Sequence, residues 1–94
     1  MSFSEFKTKL DRDGGIVVDC RTPMECAEGV WPNAVQADWN AGAFFDAAVH
    51  WDKTKPVYCY CKSGVRSGAA VDYLRSQGFD SAFNIGGYDD INKG

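Results

Sequence analysis

The segment from Val57 to Gly68 constrains the fold of this chain more than any other stretch. It begins with an apolar, β-prone run, 57–60, which is followed by Cys61, a short loop containing Gly64 and then a helical pattern. This order predicts a buried strand, a tight turn and a helix, with the thiol at the carboxyl end of the strand. Ligands bind at that end in open α/β sheets. Backbone N–H groups and the positive end of a helix converge there and favour an anion or a thiolate. The sulfur of Cys61 is therefore the candidate reactive atom.

Strand and helix patterns alternate along the rest of the chain. Helices are predicted at 2–10, 23–28, 41–50 and 65–77, with a final helical turn after Gly87, and strands at 16–19, 34–37, 57–61 and 81–85. Short connections between alternating strands and helices are typical of a parallel sheet. We therefore expect an α/β fold with three layers, in which a short central parallel sheet of four to five strands has helices on both faces. No linker or internal repeat is visible, so residues 1–94 are expected to form one domain.

One helix prediction includes its cap and its core face. Asn40 is expected to be the N-cap of the helix at 41–50. Phe44, Phe45, Ala48 and Val49 are expected to face the core.

Composition excludes several classes of partner. The formal net charge is −3, which argues against nucleic acid and against an anionic membrane surface. No apolar run reaches transmembrane length, and no secretory signal is visible at the N-terminus. The expected location is cytoplasmic, or periplasmic if a signal peptide has been removed.

The four cysteines, at 20, 26, 59 and 61, do not suit a disulfide framework, because one residue separates Cys59 from Cys61 and a direct bridge would strain an extended strand. They do not suit a zinc site either, because no Cys-x-x-Cys pair is present and His50 is the only histidine. No metal is therefore expected. Cys20, Cys26 and Cys59 are interpreted as small packing hydrophobes. For Cys59 a second role stays open, that of a resolving thiol that attacks an oxidised or persulfidated Cys61.

Four segments, in this order, resemble the rhodanese domain, the sulfurtransferase fold. Residues 16–25 are similar to its strand end with an aspartate-x-arginine motif and a Thr/Pro-capped helix. Residues 28–34 resemble the family's proline-containing turn, 61–66 its active-site loop, and 84–88 its closing glycine pair with an aromatic residue. The resemblance covers nearly the whole chain apart from the first fifteen residues.

The resemblance implies sulfur transfer by a two-step covalent route. The thiolate of Cys61 would take the outer sulfur of thiosulfate, a small anionic donor, and pass it from a persulfide to cyanide or to a thiol acceptor. That acceptor could belong to a thioredoxin-like or sulfur-relay protein. No cofactor is required. The N–H groups that would hold the persulfide belong to the loop residues Lys62, Ser63, Gly64, Val65, Arg66 and Ser67.

The loop length bears on which reaction is expected. The six residues from Cys61 to Arg66 are one fewer than the loop of related dual-specificity phosphatases, and this shorter ring is expected to suit a sulfane sulfur. Three alternatives remain: a persulfide carrier that serves a partner protein, a phosphatase or arsenate reductase, and a regulatory module without catalysis.

Several charged and hydroxyl side chains have two interpretations. Asp19 and Arg21 could line the pocket rim, but by resemblance they are expected to give structural support near the site. Lys62 could attract the donor or be a solvated loop residue. Arg66 could bind the donor or form a structural ion pair that holds the loop. The hydroxyls of the two loop serines could donate to the persulfide, or the first could cap the helix.

Overall fold

The computed structural model describes residues 1–92, in which five helices surround a four-stranded sheet. The strands are β1 (Ile16–Asp19), β2 (Val35–Gln36), β3 (Val57–Cys61) and β4 (Ala82–Gly87). The helices are α1 (Phe3–Asp13), α2 (Pro23–Cys26), α3 (Ala43–Ala48), α4 (Val65–Ser76) and α5 (Tyr88–Asn92). The strands lie in the order β2-β1-β3-β4, and every neighbouring pair is parallel. Within the described residues, no helix is long and apolar enough to cross a membrane.

Strand β3 is buried on both faces, which explains its unbroken apolar pattern. Cys59 points into a core layer shared with Leu74 of α4 and Phe44 of α3. The alternate residues, including Tyr58, point into a second layer that contains Phe6 of α1. Helices therefore cover both faces of the sheet. The expected three-layer α/β architecture is confirmed, with four strands.

The start of α3 differs from the sequence prediction. The helix begins at Ala43, after Gly42 in the left-handed conformation, and no side chain caps it. The carboxylate of Asp38 instead accepts hydrogen bonds from the N–H groups of Asn40 and Ala41, at 2.9 and 3.3 Å. This local turn at 38–41 replaces the predicted start of the helix, so the predicted Asn40 cap is wrong.

Helix α3 also buries a narrower face than expected. Phe44 and Ala48 are buried, as predicted. Phe45 and Val49 are 38% and 74% exposed, so their predicted core positions are wrong. Val49 is the C-cap residue, just beyond the last residue of the helix.

A β-bulge interrupts the pairing of β3 with β4. Cys59 pairs with Asn84, but the next residue of β3, Tyr60, pairs with Gly86, so Ile85 is an extra residue. Gly86 adopts a φ of 99°, which glycine tolerates without a Cβ clash. A bulge of this kind redirects the side chains on either side of it. Here it lies beside the loop that follows β3.

The turn between α1 and β1 offers a matched pair of substitutions. Gly14 and Gly15 both have positive φ, 71° and 103°. A Cβ on Gly14 would have nothing within 4 Å, whereas a Cβ on Gly15 would collide with the carbonyl oxygen of Pro56. We expect Gly14→Ala to cost about 1–3 kcal/mol of unfolding free energy, from backbone strain alone. Gly15→Ala should cost about 3 kcal/mol or more, because the steric conflict adds to the strain.

Urea unfolding of both variants beside the wild type measures this difference. Equal losses for the two variants would contradict the packing assigned to this turn.

Candidate active site

Cys61 is the last residue of β3, and its side chain is fully buried. The loop after it turns at Gly64, which is the N-cap of α4 with a φ of 93°. The N–H of Gly64 donates to the sulfur at 3.1 Å, and the N–H of Ser67 does so at 3.5 Å. The hydroxyl of Ser67 lies 3.4 Å from the same sulfur. Donors from the loop and from the first turn of α4 therefore converge on one atom.

These donors stabilise the thiolate of Cys61. Burial raises the pKa of Cys61, because a low-dielectric surrounding disfavours charge. The Ser67 hydroxyl and the N–H groups of Ser67, Ser63 and Gly64 act in the opposite direction, and the pKa is lowered overall. A depressed pKa increases the thiolate fraction near neutral pH, and the thiolate is the nucleophilic form of cysteine.

Among residues 1–92, the N–H and hydroxyl groups that donate to a sulfur atom all donate to Cys61. The pKa of Cys20 is raised, because it shares a hydrogen bond with Cys59 and lies in the core. Burial raises the pKa of Cys26 to about 11. All four cysteines are free thiols. Cys59 is fully buried in the larger core layer, which suits a packing role, although its possible function as a resolving thiol stays untested.

Arg66 forms a bidentate ion pair with Glu25. Its two terminal nitrogens lie 2.7 and 3.0 Å from the two carboxylate oxygens. Glu25 also closes the capping box of α2 with Thr22, so the ion pair joins the start of α4 to the start of α2. The hydrogen bonds from Arg66 help to lower the pKa of Glu25 to about 2. Of the two interpretations of Arg66, this contact favours the structural ion pair.

Asp19 and Arg21 form a second, more deeply buried ion pair. The shortest contact, from Nη2 of Arg21 to Oδ2 of Asp19, is 2.7 Å, and the two side chains are 7% and 0% exposed. The same oxygen accepts the hydroxyl of Tyr60 at 2.7 Å, and the Tyr60 oxygen accepts the N–H of Trp31 at 2.9 Å. Arg21 also donates to the carbonyl of Gly29 at 2.6 Å. The network joins β1, β3 and the turn at 29–31, an arrangement suited to structural support.

The remaining loop residues face outward. Lys62, Ser63 and Val65 are exposed. Lys62 lines an open cavity of about 310 Å³ with Arg21, Glu25, Glu28, Tyr88 and Asp89. The helix after the loop is capped by Gly64 with no side-chain hydrogen bond, so the alternative of Ser63 as a helix cap is wrong. Within residues 1–92, no three His, Cys, Asp or Glu side chains are placed to hold a metal ion.

Sequence reasoning missed two residues that contact the loop. Glu25 was detectable as half of a capping box, because Thr22 and Glu25 have the Thr-x-x-Glu spacing, but its partner on α4 was not. Asn84 lies beside the bulge, where its side chain contacts both Ser67 and Gly64. No local pattern predicts this contact, because 17 and 20 positions of sequence separate the partners.

Comparisons with known proteins agree on the family. The family model described as Rhodanese-like domain matches residues 2–93. A protein named Sulfurtransferase from Allochromatium vinosum is 35% identical over 77 residues, which cover 82% of this chain and 70% of that protein. A rhodanese-like domain protein from Staphylococcus aureus has a crystal structure that matches with a TM-score of 0.83 at 33% identity, covering 97% of this chain and 88% of that one. A tRNA uridine(34) hydroxylase from Cytophaga hutchinsonii is 34% identical over 87 residues, and this chain spans 28% of its length.

The ion pair of Glu25 with Arg66 should make stability depend on pH. The folded-state pKa of Glu25, about 2, lies below the ordinary value of 4.5. The stabilisation is therefore present above pH 4.5 and is lost as the pH falls towards 2. Near neutral pH we expect Glu25→Gln to lower the unfolding free energy by about 1–2 kcal/mol. The difference from the wild type should narrow as the pH approaches 2.

Urea titrations near pH 7 and pH 3 measure this change. Glu28→Gln is the control, because Glu28 is exposed and makes no ion pair among the described residues. If Glu25→Gln destabilises the protein equally at both pH values, the ion pair is not the source of its effect.

Proposed function

Because this chain belongs to the rhodanese-like domain family, we propose that it is a thiosulfate sulfurtransferase that works through a persulfide on Cys61. The resemblance found in the sequence and the α/β architecture expected from it are both confirmed. Membership of this family supports a sulfurtransferase-type enzyme with a sulfur donor and a sulfur acceptor. The choice of thiosulfate as donor, and the roles of the individual residues, belong to the proposal.

One observation carries the proposal. The sulfur of Cys61 is buried at a strand end, yet N–H groups of Gly64 and Ser67 point at it and its pKa is lowered. A cysteine that only fills space in the core does not require such donors. Cys20, in the same core layer, is a cysteine of this kind, and its pKa is raised. The donors suit a sulfur atom that carries negative charge during a reaction.

The first step forms a covalent intermediate. The Cys61 thiolate attacks the outer sulfur of thiosulfate, the S–S bond of thiosulfate breaks, and sulfite leaves with the bonding electron pair. The product is a persulfide anion, so the total charge is unchanged. The N–H groups of the loop stabilise the transferred sulfur as charge moves onto it.

The second step restores the enzyme. Cyanide, or a thiolate acceptor, attacks the outer sulfur of the persulfide and carries it away as thiocyanate or as a new persulfide. The bond between the two sulfurs breaks, and its electron pair returns to Cys61 as the thiolate. Such a cycle gives ping-pong kinetics. It also requires a reduced thiol, which suits a reducing compartment such as the cytoplasm.

A persulfide carrier is a second candidate function, and the charges around the site support it. Arg66 is engaged by Glu25, and the cavity beside Lys62 also contains the carboxylates of Glu28 and Asp89. Those carboxylates oppose the approach of a small dianion. Under this alternative, a partner protein supplies the sulfur, Cys61 remains essential, and turnover with thiosulfate is slow. A phosphatase remains less favoured because of the six-residue loop, and assays with phosphate esters test it.

The persulfide has a direct test by intact mass. Reduced wild-type protein mixed with thiosulfate should gain the mass of one sulfur atom, and cyanide should remove it. Cys61→Ser should gain nothing, whereas Cys59→Ser should still gain sulfur, because Cys59 takes no part in the uptake step whether it packs the core or acts later as a resolving thiol. A wild-type protein that gains no sulfur would rule out thiosulfate as the donor. Persulfide donors would then test the carrier alternative.

Lys62 should contribute to donor binding through its charge. At an exposed site, one charge facing an anion is worth about 1 kcal/mol. We therefore expect Lys62→Ala to lower kcat/KM for thiosulfate about fivefold at low salt. High salt should reduce the difference. Lys55→Ala is the matched control, because Lys55 is also exposed but precedes β3 at the opposite end of that strand. Equal effects of the two substitutions would exclude a local role for Lys62.

A further inference from the structure

We propose that Asn84 is a positioning residue that controls, through Ser67 and Gly64, the hydrogen bonds that reach the sulfur of Cys61. The inference rests on the proposed function in so far as Cys61 is the reacting residue. It adds a residue on β4 whose side chain forms hydrogen bonds with Ser67, Gly64 and Gly86.

The orientation of the Asn84 side chain is fixed by its backbone partners. Its Oδ1 accepts the N–H of Gly86 at 3.1 Å, and its Nδ2 donates to the carbonyl of Gly64 at 2.9 Å. An N–H can bond only to the oxygen of the amide, and a carbonyl only to its nitrogen. The β-bulge at Ile85 makes this possible, because it brings the N–H of Gly86 back towards the side chain two residues earlier.

The space around the amide is shaped to hold it. Gly68, in the first turn of α4, faces Asn84, and a Cβ at this position would lie 3.3 Å from Nδ2. A Cβ on Gly64 would lie 3.5 Å from the Cα of Gly86. The contact at Gly68 is the tighter one, so the missing side chain there leaves room for α4 to approach the Asn84 amide, whereas a Cβ on Gly64 would be at an ordinary van der Waals distance from Gly86. The amide is held in one place and one orientation.

The hydroxyl of Ser67 has one proton and two neighbours that can accept it. Its oxygen lies 2.8 Å from Oδ1 of Asn84 and 3.4 Å from the sulfur of Cys61. Oδ1 can only accept, so at the shorter distance the hydroxyl donates to Asn84. When the sulfur is an uncharged thiol, its S–H can donate to the free lone pairs of the Ser67 oxygen. When negative charge develops on the sulfur, the hydroxyl rotates and donates to it, because hydrogen bonds to ionised acceptors are the stronger ones.

Asn84 therefore acts on the sulfur along two paths. Along one it competes with the sulfur for the proton of Ser67. Along the other it holds the carbonyl of Gly64, whose N–H donates to the sulfur at 3.1 Å. No covalent bond changes, and the hydroxyl proton stays on Ser67 throughout. The result is a donor set that responds to the charge on the sulfur.

The test is the pH dependence of Cys61 alkylation by iodoacetamide, followed by peptide mass. Asn84→Asp keeps the shape of the side chain but can no longer donate to Gly64. It also accepts the Ser67 proton more strongly and adds a negative charge. We expect alkylation near neutral pH to slow about tenfold, which corresponds to a rise of one unit in the apparent pKa. Asn40→Asp, at an exposed turn, is the control for added charge and should leave the rate unchanged.

Combination with Ser67→Ala separates the path through Ser67 from a general effect of charge. In the Ser67→Ala protein, Asn84→Asp should slow alkylation by only about threefold, because the hydroxyl proton for which residue 84 and the sulfur of Cys61 compete is absent. The same tenfold effect with and without the Ser67 hydroxyl would overturn the proposal, as would no effect in either. Cys20 and Arg66 are ionisable neighbours of the sulfur, and both are unchanged in these variants.

A measurement on the wild-type chain covers the case in which Asn84→Asp does not fold. The side-chain amide signals of Asn84 in NMR spectra should shift with pH. The midpoint of that shift should equal the midpoint of the pH profile of Cys61 alkylation. Signals that stay constant through this range would refute the proposal. Neither measurement requires sulfur transfer. A chain that fails to accept sulfur from thiosulfate can therefore still confirm the role of Asn84, and a chain that accepts it can refute that role.

Discussion

The structure depends on stabilising negative charge on a sulfur atom that is buried at the end of a strand. Burial alone would raise the pKa of Cys61 and leave an inert thiol. The hydrogen bonds from Gly64 and Ser67 reverse that effect. They exist only because β3 ends where it does and α4 begins four residues later. The strand, the loop and the first helical turn therefore work as one unit, and the surrounding elements hold this unit in place.

Two ion pairs support this unit from outside, and they differ in environment. The pair of Asp19 with Arg21 is buried and shares its hydrogen bonds with Tyr60 and the turn at 29–31. Isolated buried charges are costly, and here the additional partners offset that cost. The pair of Arg66 with Glu25 is partly exposed, at 21% and 27%, and joins two helix starts directly. One pair fixes the strand ends below the loop, and the other fixes the end of the loop itself.

Local patterns were sufficient to predict the central strand, the loop and the long helix after it. The apolar run, the glycine turn and the helical periodicity all lie within a short stretch, and each of them predicts one kind of local structure. Local patterns were insufficient to predict the start of α3. The side chain of Asp38 stabilises a turn there, and the spacing of apolar residues carries no information about such a turn. Local patterns also missed Glu25 and Asn84 as neighbours of the loop. Both contacts join residues from different elements, and they exist only after the sheet has brought those elements together. Cys61 itself was predictable because its position follows from one strand and one turn.

Because of the bulge at Ile85, the geometry of the site depends on the number of residues in β4. Side chains alternate between the two faces of a strand, so one residue gained or lost changes the face of every residue beyond that point. In this strand, a deletion at Ile85 would restore regular pairing with β3 and would remove the N–H of Gly86 from the Asn84 side chain. The exposed segment at 52–55 faces no such restriction and can change length. Homologous chains that keep this hydrogen-bond network are therefore expected to vary in their loops and to conserve the number of residues in β4.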